Sequence, residues 1–490
     1  MERLWPQVLH ELEGVLRERG IQAWLVGGSV RDALLGRPLR DMDVAIASDG
    51  HALDDLVAAL PDALRRGVGR LRHDTVRVAL DDEHDLHLDL SQMHGSTIAQ
   101  DLATRDFTIN AMALPLAAWR TLLTGEHEAL VADLIDPLGG LADLRARQLR
   151  LPSTDAFEYD PGRILRAARF IAGLGMASSA ETDALAKAVA PEIEQLHPGR
   201  VHEELNALFA LPELAIGVRW LRKIGALEHL AVLPPTRERP VTPEHEFDVL
   251  ERALALAAQL HPAARDMSGV LAPLAALLAQ QEWYAQPLWS GYPRFVALPW
   301  SEFALALLGR PQTPLAASGR PAARWFPWVM PVPGGVIERC AWASVRSLEA
   351  ATRLLTQASP SLPDLRHFFA MEPAMEDYAV DALVVAVVHA VAEAESTGGV
   401  SGAQEMVARS TTILGEFFAD EKRFVPDRLL TGRELNQLLP PHQYPQIRRV
   451  LRAVREAQLD GHITTREEAV ALARELAKRD EEDDGTKGNQ

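Results

Sequence analysis

Several features that would narrow the class of protein are scarce or missing in this 490-residue sequence. There is one cysteine, Cys340, which excludes an internal disulfide and a thiolate metal cluster. No uninterrupted apolar run is long enough to cross a bilayer, and the first residues lack a signal-peptide pattern. Basic residues are in the minority, because 68 acidic residues against 50 basic ones leave a net charge of −18. These absences predict a cytoplasmic protein that does not contact membranes.

The hydrophobic pattern changes along the chain. Short apolar runs typical of strands dominate the first part, and from about residue 100 onward the pattern is almost wholly helical. At 490 residues the chain can bury several cores. We therefore expect an α+β protein, in which a small N-terminal head with a mixed or antiparallel sheet precedes a long all-helical remainder.

The most informative segment covers residues 25–46. An apolar run ends in the pair Gly27 and Gly28, and the acids Asp41 and Asp43 interrupt a second apolar run. Two glycines let a backbone approach a phosphate, and a helix that starts there offers N–H groups to an anion. Residues i and i+2 of a strand share a face, so the two carboxylates would point the same way. Such a pair beside a phosphate cradle suits a two-Mg²⁺ phosphoryl-transfer site.

Either feature alone would be ordinary, since a glycine pair marks turns and an isolated Asp-x-Asp is usually a solvated loop. Together they resemble the head domain of class II tRNA nucleotidyltransferases and bacterial poly(A) polymerases, in the polymerase-beta superfamily. The resemblance implies two Mg²⁺ ions on Asp41 and Asp43. The nucleotide-binding residues that it implies in this segment are Gly27, Gly28, Ser29, Arg31 and Asp32.

A third acid is expected from a predicted hairpin. Residues 75–80 and 85–90 alternate polar and apolar, with a turn at 81–84 between them. The leucines of the second strand line one face and leave Asp89 on the other, where it is a candidate metal ligand or base for the attacking hydroxyl. A solvated strand face is the alternative. A rival metal site matches no zinc spacing and would use His84, His87 and His94.

Residues 101–111 form the next block and resemble the RRDFTxNA motif of the family, with Thr104 in place of its first arginine. The resemblance implies that Arg105 and Asp106 contact the triphosphate and ribose, and that Asn110 holds the phosphate side. From the residues alone, Asp101 could cap a helix and pair with Arg105 at i+4.

A third block begins at Asp160, with Arg163 and Arg166 at i+3 and i+6 of a predicted helix. A carboxylate accepts from a cytosine amino group and a guanidinium donates to ring acceptors, so such a pair can read a base without a template. The alternative is that Asp160 is an N-cap before proline. Resemblance to the EDxxR motif implies base reading by Asp160 and Arg163, with Tyr159 replacing the usual glutamate.

Residues 242–253 resemble the start of an HD phosphohydrolase domain whose metal pattern is broken. His245 and Asp248 are present, but Arg252 stands where the second histidine belongs and residues 277–279 lack the His-Asp pair. We therefore expect no HD hydrolase activity.

The C-terminal segment resembles the tail of the family and carries basic residues on a predicted helix. These side chains could position RNA through its phosphates, or they could form a solvated face. They are Arg448, Arg449 and Arg452.

The resemblance also implies a division of the chain. A turn at residues 136–145 would be a hinge between head and neck, or a plain turn. The expected divisions are a head (1–135), a helical neck (136–215), a degenerate HD-like body (216–420), a tail (421–478) and a disordered acidic end (479–490).

Few residues separate Asp89 from Asp101, where CCA-adding members usually carry a longer flexible loop, and members without it tend to add only CC. The resemblance therefore implies an enzyme that adds C residues to the 3′ end of tRNA from CTP, with ATP as a second candidate substrate and no DNA partner. Alternatives are an A-adding enzyme or poly(A) polymerase and, from other classes, an inactive RNA-binding protein or a phosphohydrolase. The oligomeric state is not predicted.

Overall fold

The computed structural model shows a chain that divides into two compact units. The first unit comprises Met1–Leu196 and Ile216–Leu230, and the second comprises His197–Ala215 and Ala231–Gln490. The residues that the structure describes are 4–39, 41–47, 52–61, 67–72, 75–81, 86–230, 243–261, 269–281, 350–357, 359–370, 379–398, 400–439 and 444–487.

The first unit is built around a mixed six-stranded sheet in the order β3-β4-β5-β2-β1-β6. The β2–β5 pair is parallel, and the other pairs are antiparallel. The apolar faces of the strands are buried, as the alternation along β5 predicts. The strands are β1 (Ala23–Val26), β2 (Asp41–Ile46), β3 (Val68–Arg72), β4 (Thr75–Asp81), β5 (Leu86–Gln92) and β6 (Ala113–Pro115).

Short helices and turns accompany this sheet up to residue 195. The helices are α1 (Leu4–Glu18), α2 (Gly28–Leu34), α3 (Ala52–Ala59), α4 (Ile98–Ala103), α5 (Trp119–Thr124), α6 (His127–Ala132), α7 (Gly140–Ala146), α8 (Ala156–Tyr159), α9 (Gly162–Leu174) and α10 (Ala180–Val189). The 3₁₀ turns are Thr108–Asn110, Leu116–Ala118 and Ala190–Gln195. A separate parallel pair joins β7 (Gln148–Leu149) to β8 (Ala177–Ser178).

The remainder of the chain is helical in the described residues. Its helices are α11 (Pro198–Phe209), α12 (Leu214–Lys223), α13 (Ala226–Leu230), α14 (Pro243–Gln259), α15 (Ala272–Gln280), α16 (Leu362–Phe369), α17 (Ala379–Thr397), α18 (Val400–Ala419), α19 (Glu421–Phe424), α20 (Gly432–Leu438), α21 (Tyr444–Leu459) and α22 (Arg466–Lys487). Helix α17 is apolar on nearly every side and lies in the larger core of the second unit. A smaller core is formed by α20, α21 and α22. No described helix has the length and apolar character that crossing a bilayer requires.

The prediction of an α+β protein with a long helical remainder is confirmed. Strand β6 was not predicted, because three residues in an apolar run are too short to show an alternation. The acidic end was expected to be disordered from residue 479, but α22 continues to Lys487. Extending an existing helix costs less than starting one, and Glu, Lys and Arg favour the helical state.

The turn expected at residues 136–145 is closely packed. The carboxylate of Asp136 accepts hydrogen bonds from the backbone N–H groups of Gly140 (2.7 Å) and Leu141 (2.9 Å), the start of α7. A Cβ added at Gly140 would lie 2.1 Å from the carbonyl oxygen of Thr108. Helix α7 therefore rests directly on the 3₁₀ turn that carries Asn110. These contacts favour a fixed turn over a hinge.

We predict that Gly140→Ala destabilises the protein, because the added methyl group must push α7 away from the Thr108 carbonyl. Overpacking of this kind typically costs about 1–3 kcal/mol. The matched control is Gly14→Ala in α1, where a Cβ would have no atom within 4 Å. We expect that control to be neutral or slightly stabilising. Thermal unfolding of both variants tests this; an unchanged melting temperature for Gly140→Ala would contradict the close packing.

Candidate functional site

The predicted acids lie together at one place in the sheet. Asp41 and Asp43 are two residues apart on β2, and the parallel pairing with β5 sets Asp89 opposite Asp43. Burial raises the pKa of the Asp43 carboxyl, and the charges of Asp89 and Asp41 raise it further. Arg105 and Arg166 oppose this rise without cancelling it. The surroundings of Asp43 therefore favour additional positive charge.

The donor set suits a cation that also binds phosphate oxygens. Within the described ranges, no three His, Cys, Asp or Glu side chains already stand in an arrangement that could hold a metal ion. Asp41 and Asp43 would therefore supply only part of a coordination sphere. Mg²⁺ commonly takes one or two carboxylates and completes its shell with substrate phosphates and water.

Asp89 is held by an arginine that the sequence analysis did not select. Nε and Nη2 of Arg77 on β4 donate to the two carboxylate oxygens of Asp89 at 2.8 Å and 2.7 Å. This bidentate pair fixes the orientation of Asp89 beside Asp43 and raises the pKa of Arg77. One indication in the sequence that Arg77 could contact Asp89 was its position on the neighbouring strand of the predicted hairpin.

Gly27 brings the backbone against these acids. Its φ is 69°, a backbone conformation that residues with a side chain rarely adopt, and it immediately precedes α2. A Cβ at this position would lie 3.0 Å from Oδ2 of Asp43 and 3.2 Å from Nη1 of Arg105. At Gly28, a Cβ would lie 3.7 Å from the same oxygen of Asp43. The glycine pair, the carboxylate of Asp43 and the guanidinium of Arg105 thus lie close together.

A buried acid fixes Arg105. Nε and Nη2 of Arg105 donate to Oδ2 of Asp101 at 3.1 Å and 3.0 Å, which confirms the predicted i+4 pair. The other oxygen of Asp101 accepts from the backbone N–H of His94 at 2.9 Å. The expectation that Asp101 caps the helix is wrong, because Thr97 is the N-cap of α4 and accepts from the N–H of Gln100.

Asp106 and Asn110 are joined in a second polar cluster. Nδ2 of Asn110 donates to both carboxylate oxygens of Asp106 at 3.0 Å and 3.2 Å, and Nε of Arg166 donates to one of them at 2.6 Å. Burial alone would raise the pKa of Asp106, but Arg166, Asn110 and the N–H of Phe107 together lower it. Asp106 is therefore ionised at neutral pH.

Arg31 extends this cluster into the interior. Its Nη1 donates to Oδ1 of Asn110 at 2.7 Å, while Nε and Nη2 donate to the carboxylate of Asp32 at 2.9 Å and 2.8 Å. The hydroxyl of Ser29 is buried as well and donates to the carbonyl of Val26 at 2.8 Å. The polar groups of Arg31 and Ser29 are thus engaged within the protein and support the site from behind.

Aromatic rings underlie the arginines of this cluster. The guanidinium carbons of Arg31, Arg166 and Arg169 lie 5.1, 5.4 and 4.8 Å from the ring centroid of Phe170 on α9. The ring of Phe107 meets Phe170 edge to face at 5.6 Å. Cation–π contacts of this kind restrict the arginines without using their N–H groups.

Arg163 is fastened to the backbone before Asp106. Its Nη1 donates to the carbonyls of Arg105 (3.0 Å) and Ala156 (3.3 Å), and its Nη2 donates to the carbonyl of Thr104 (2.8 Å). Three of its five N–H groups are used in this way. The Nε edge of the guanidinium remains, next to the carboxylate of Asp160.

The expectation that Asp160 is the N-cap of α9 is wrong, because Pro161 takes that position. Oδ1 of Asp160 accepts from the backbone N–H of Gly162 at 3.0 Å. Oδ2 lies 3.8 Å from Nε of Arg163. An acceptor and a donor edge therefore stand side by side at the start of α9.

Several of the remaining predicted positions lie in the second unit. Arg448 and Arg449 are exposed on α21, and Nε of Arg452 donates to Glu456 at 3.0 Å. Arg252 forms an ion pair with Glu395 at 3.7 Å. Of the predicted rival histidines, His84 lies outside the described residues, as does the side chain of His245.

Comparison with known proteins adds to this geometry. The model of the poly(A) polymerase head domain matches residues 23–150, and one described as a probable RNA and SrmB-binding site of polymerase A matches residues 175–235. A CC-adding tRNA nucleotidyltransferase of Geobacter sulfurreducens is 39% identical over 207 residues, which are 41% of this chain and 43% of that protein. The alignment thus spans less than half of that relative's length.

Other similarities extend along the whole chain. An A-adding tRNA nucleotidyltransferase of Deinococcus radiodurans is 28% identical over 488 residues, covering 93% of this chain and 96% of that protein. The crystal structure of the Bacillus stearothermophilus CCA-adding enzyme in complex with CTP has a TM-score of 0.58 at 20% identity, covering 99% of this chain and all of that one. At that identity the likeness concerns the fold alone. With the glycine pair, the acids and the block from Arg105 to Ala111, these matches show that the chain carries a poly(A) polymerase head domain and is similar to tRNA nucleotidyltransferases.

Proposed function

We propose that this protein is a template-independent nucleotidyltransferase that adds C residues to the 3′ end of tRNA from CTP and releases pyrophosphate. The observation that carries the proposal is the closeness of Gly27 to the Asp43 carboxylate, where an added Cβ would lie 3.0 Å from Oδ2, with Asp41 and Asp89 on the same part of the sheet. A triphosphate at the glycine pair would have its α-phosphate beside these acids.

Asp41 and Asp43 are the residues that would hold the metal ions. Two Mg²⁺ ions, when bound, would neutralise the phosphate oxygens and lower the pKa of the attacking 3′-hydroxyl. The chain supplies the orientation, because Arg77 fixes Asp89 and the strand pairing sets Asp89 against Asp43.

Positive charge around the acids would receive the triphosphate. Arg105 is fixed by Asp101 with its Nη1 directed to Gly27, and Arg166 is fixed by Asp106 close enough to lower the pKa of Asp43. Because these charges are already in place, they would hold the nucleotide in the orientation that the reaction requires.

Asp160 and Arg163 would read the base. The carboxylate accepts from an exocyclic amino group, and the Nε edge of the guanidinium donates to a ring acceptor. Cytosine offers both partners on its Watson–Crick edge. In the second unit, Arg448, Arg449 and Arg452 would contact RNA phosphates, independently of sequence.

The choice of CC addition is supported by a short connection and one relative. Five residues, 93–97, join β5 to α4, and the bond from the N–H of His94 to Asp101 fastens them. The Geobacter relative carries the CC-adding name. A second candidate is A addition, because the relative that aligns with 93% of this chain is an A-adding enzyme.

An incorporation assay separates these candidates. The protein is incubated with Mg²⁺ and each labelled triphosphate in turn, using tRNA that lacks CCA and tRNA that ends in CC. We expect two C residues on the first RNA and no addition to the second. One A added only to the second RNA would establish the A-adding alternative, long A tracts would indicate a poly(A) polymerase, and no transfer at all would refute the proposal.

We predict that Asp41→Ala and Asp43→Ala each abolish incorporation and leave tRNA affinity largely unchanged, since the acids serve the reacting phosphate rather than the RNA backbone. The measurement is single-turnover incorporation beside a filter-binding titration. Glu158→Ala, an exposed acid on α8, is the matched control. Substantial turnover in both aspartate variants would contradict the assignment.

A third prediction follows from the raised pKa of Asp43. Because the pKa of Asp43 is higher in the folded state than in the unfolded state, the folded protein binds more protons than the unfolded chain at pH values between the two pKa values. The free energy of unfolding therefore falls as the pH rises between them. Asp43→Asn should therefore melt at a higher temperature than the wild type at pH 7 without Mg²⁺. The advantage should shrink towards pH values near about 3.9, where the carboxyl is also protonated in the unfolded chain.

The same variant should lose the response to the metal. Mg²⁺ with CTP is expected to raise the melting temperature of the wild type more than that of Asp43→Asn, because the variant lacks one anionic ligand. Equal shifts in both proteins, or a less stable variant at pH 7, would contradict this account of Asp43.

A further inference from the structure

Tyr159 is the outlier among exposed side chains. It is 80% exposed, whereas the other large hydrophobic residues exposed in the described part of the chain, Leu35 and Ile216, are 38% and 41% exposed. A ring left in water contributes little to packing, so the fold does not require it. Its neighbours on α8, Ala156 and Phe157, are buried and anchor the backbone beneath it.

The ring stands next to the pair that would read the base. Tyr159 directly precedes Asp160, and the guanidinium carbon of Arg163 lies 5.6 Å from the centroid of its ring. Arg163 is itself held by the carbonyls of Thr104 and Arg105. The ring therefore rests against a fixed cation and keeps most of its surface open.

An open aromatic ring beside a donor and an acceptor edge matches the needs of a flat heterocycle. A base that accepts a hydrogen bond from the edge of the Arg163 guanidinium lies roughly in the plane of that group. The ring of Tyr159, which lies against the guanidinium, can therefore also contact the face of the base. We infer that Tyr159 stacks on the base of the incoming nucleoside triphosphate, a step that rests on the proposed function of Asp160 and Arg163. Because every base has a π face, the stacking would add affinity and leave the choice of base to the polar pair.

The test compares nucleotide binding by Tyr159→Ala and Tyr159→Phe with binding by the wild type. Calorimetry of the full-length chain without RNA measures affinity for CTP and for inorganic tripolyphosphate, both with Mg²⁺. For Tyr159→Ala we expect CTP to bind about 5- to 150-fold more weakly, the range for loss of one base–aromatic stack. Tripolyphosphate affinity should stay unchanged, and Tyr159→Phe should bind CTP within about twofold of the wild type, because its ring is retained.

The exposed neighbour Glu158 supplies the matched control, Glu158→Ala, which should leave both affinities unchanged. Unaltered CTP affinity in Tyr159→Ala would overturn the inference, as would an equal loss for CTP and tripolyphosphate. A loss confined to tRNA affinity would also overturn it, because the ring would then serve the RNA.

Failure of this inference is distinguishable from failure of the proposed function. If Tyr159→Ala loses CTP affinity while the wild type transfers nothing to any RNA, the stacking stands and the proposed transfer fails. If the wild type adds nucleotides and Tyr159→Ala binds CTP normally, the transfer stands and the stacking fails.

Discussion

The site depends on carboxylates that are held together against their own repulsion. Asp43 lies near both Asp41 and Asp89 and is largely shielded from water. Its raised pKa reflects the free-energy cost of keeping its carboxylate charged there. Strand pairing, with Arg77 behind Asp89, keeps the acids from separating. A fold that concentrates negative charge in this way gains stability when cations bind, and that coupling is the physical basis of the proposed chemistry.

The arginines around these acids are held in position by two further carboxylates. Arg105 is fixed by the buried Asp101, and Arg166 is fixed by Asp106, which Asn110 ties in turn to the interior. Each arginine is thus held in position by hydrogen bonds from some of its N–H groups before a nucleotide binds. Preset dipoles and charges need little reorganisation when a triphosphate arrives, which is the usual source of catalytic advantage in phosphoryl transfer.

Local patterns were readable from the sequence, and longer-range register was not. The acids on β2, the glycine pair and the Asp101–Arg105 pair depend on spacings of one to four residues, and the structure places them as expected. A hairpin with its turn at 81–84 would set residue 76 opposite Asp89. In the structure Asp81 pairs with Leu86, a register that would set residue 78 opposite Asp89, and the irregularity between Ala79 and Asp81 shifts the pairing by one and brings Arg77 there. Such a shift follows from packing across the sheet, which no local pattern records.

Electron paramagnetic resonance with Mn²⁺ tests the central claim most directly, that Asp41 and Asp43 share divalent cations with a nucleotide. We expect tight Mn²⁺ binding to the wild type only when CTP is present, since two carboxylates form an incomplete shell, and strong loss of that binding in Asp43→Asn. Mn²⁺ binding that is equally tight without CTP, or unchanged in Asp43→Asn, would contradict the account.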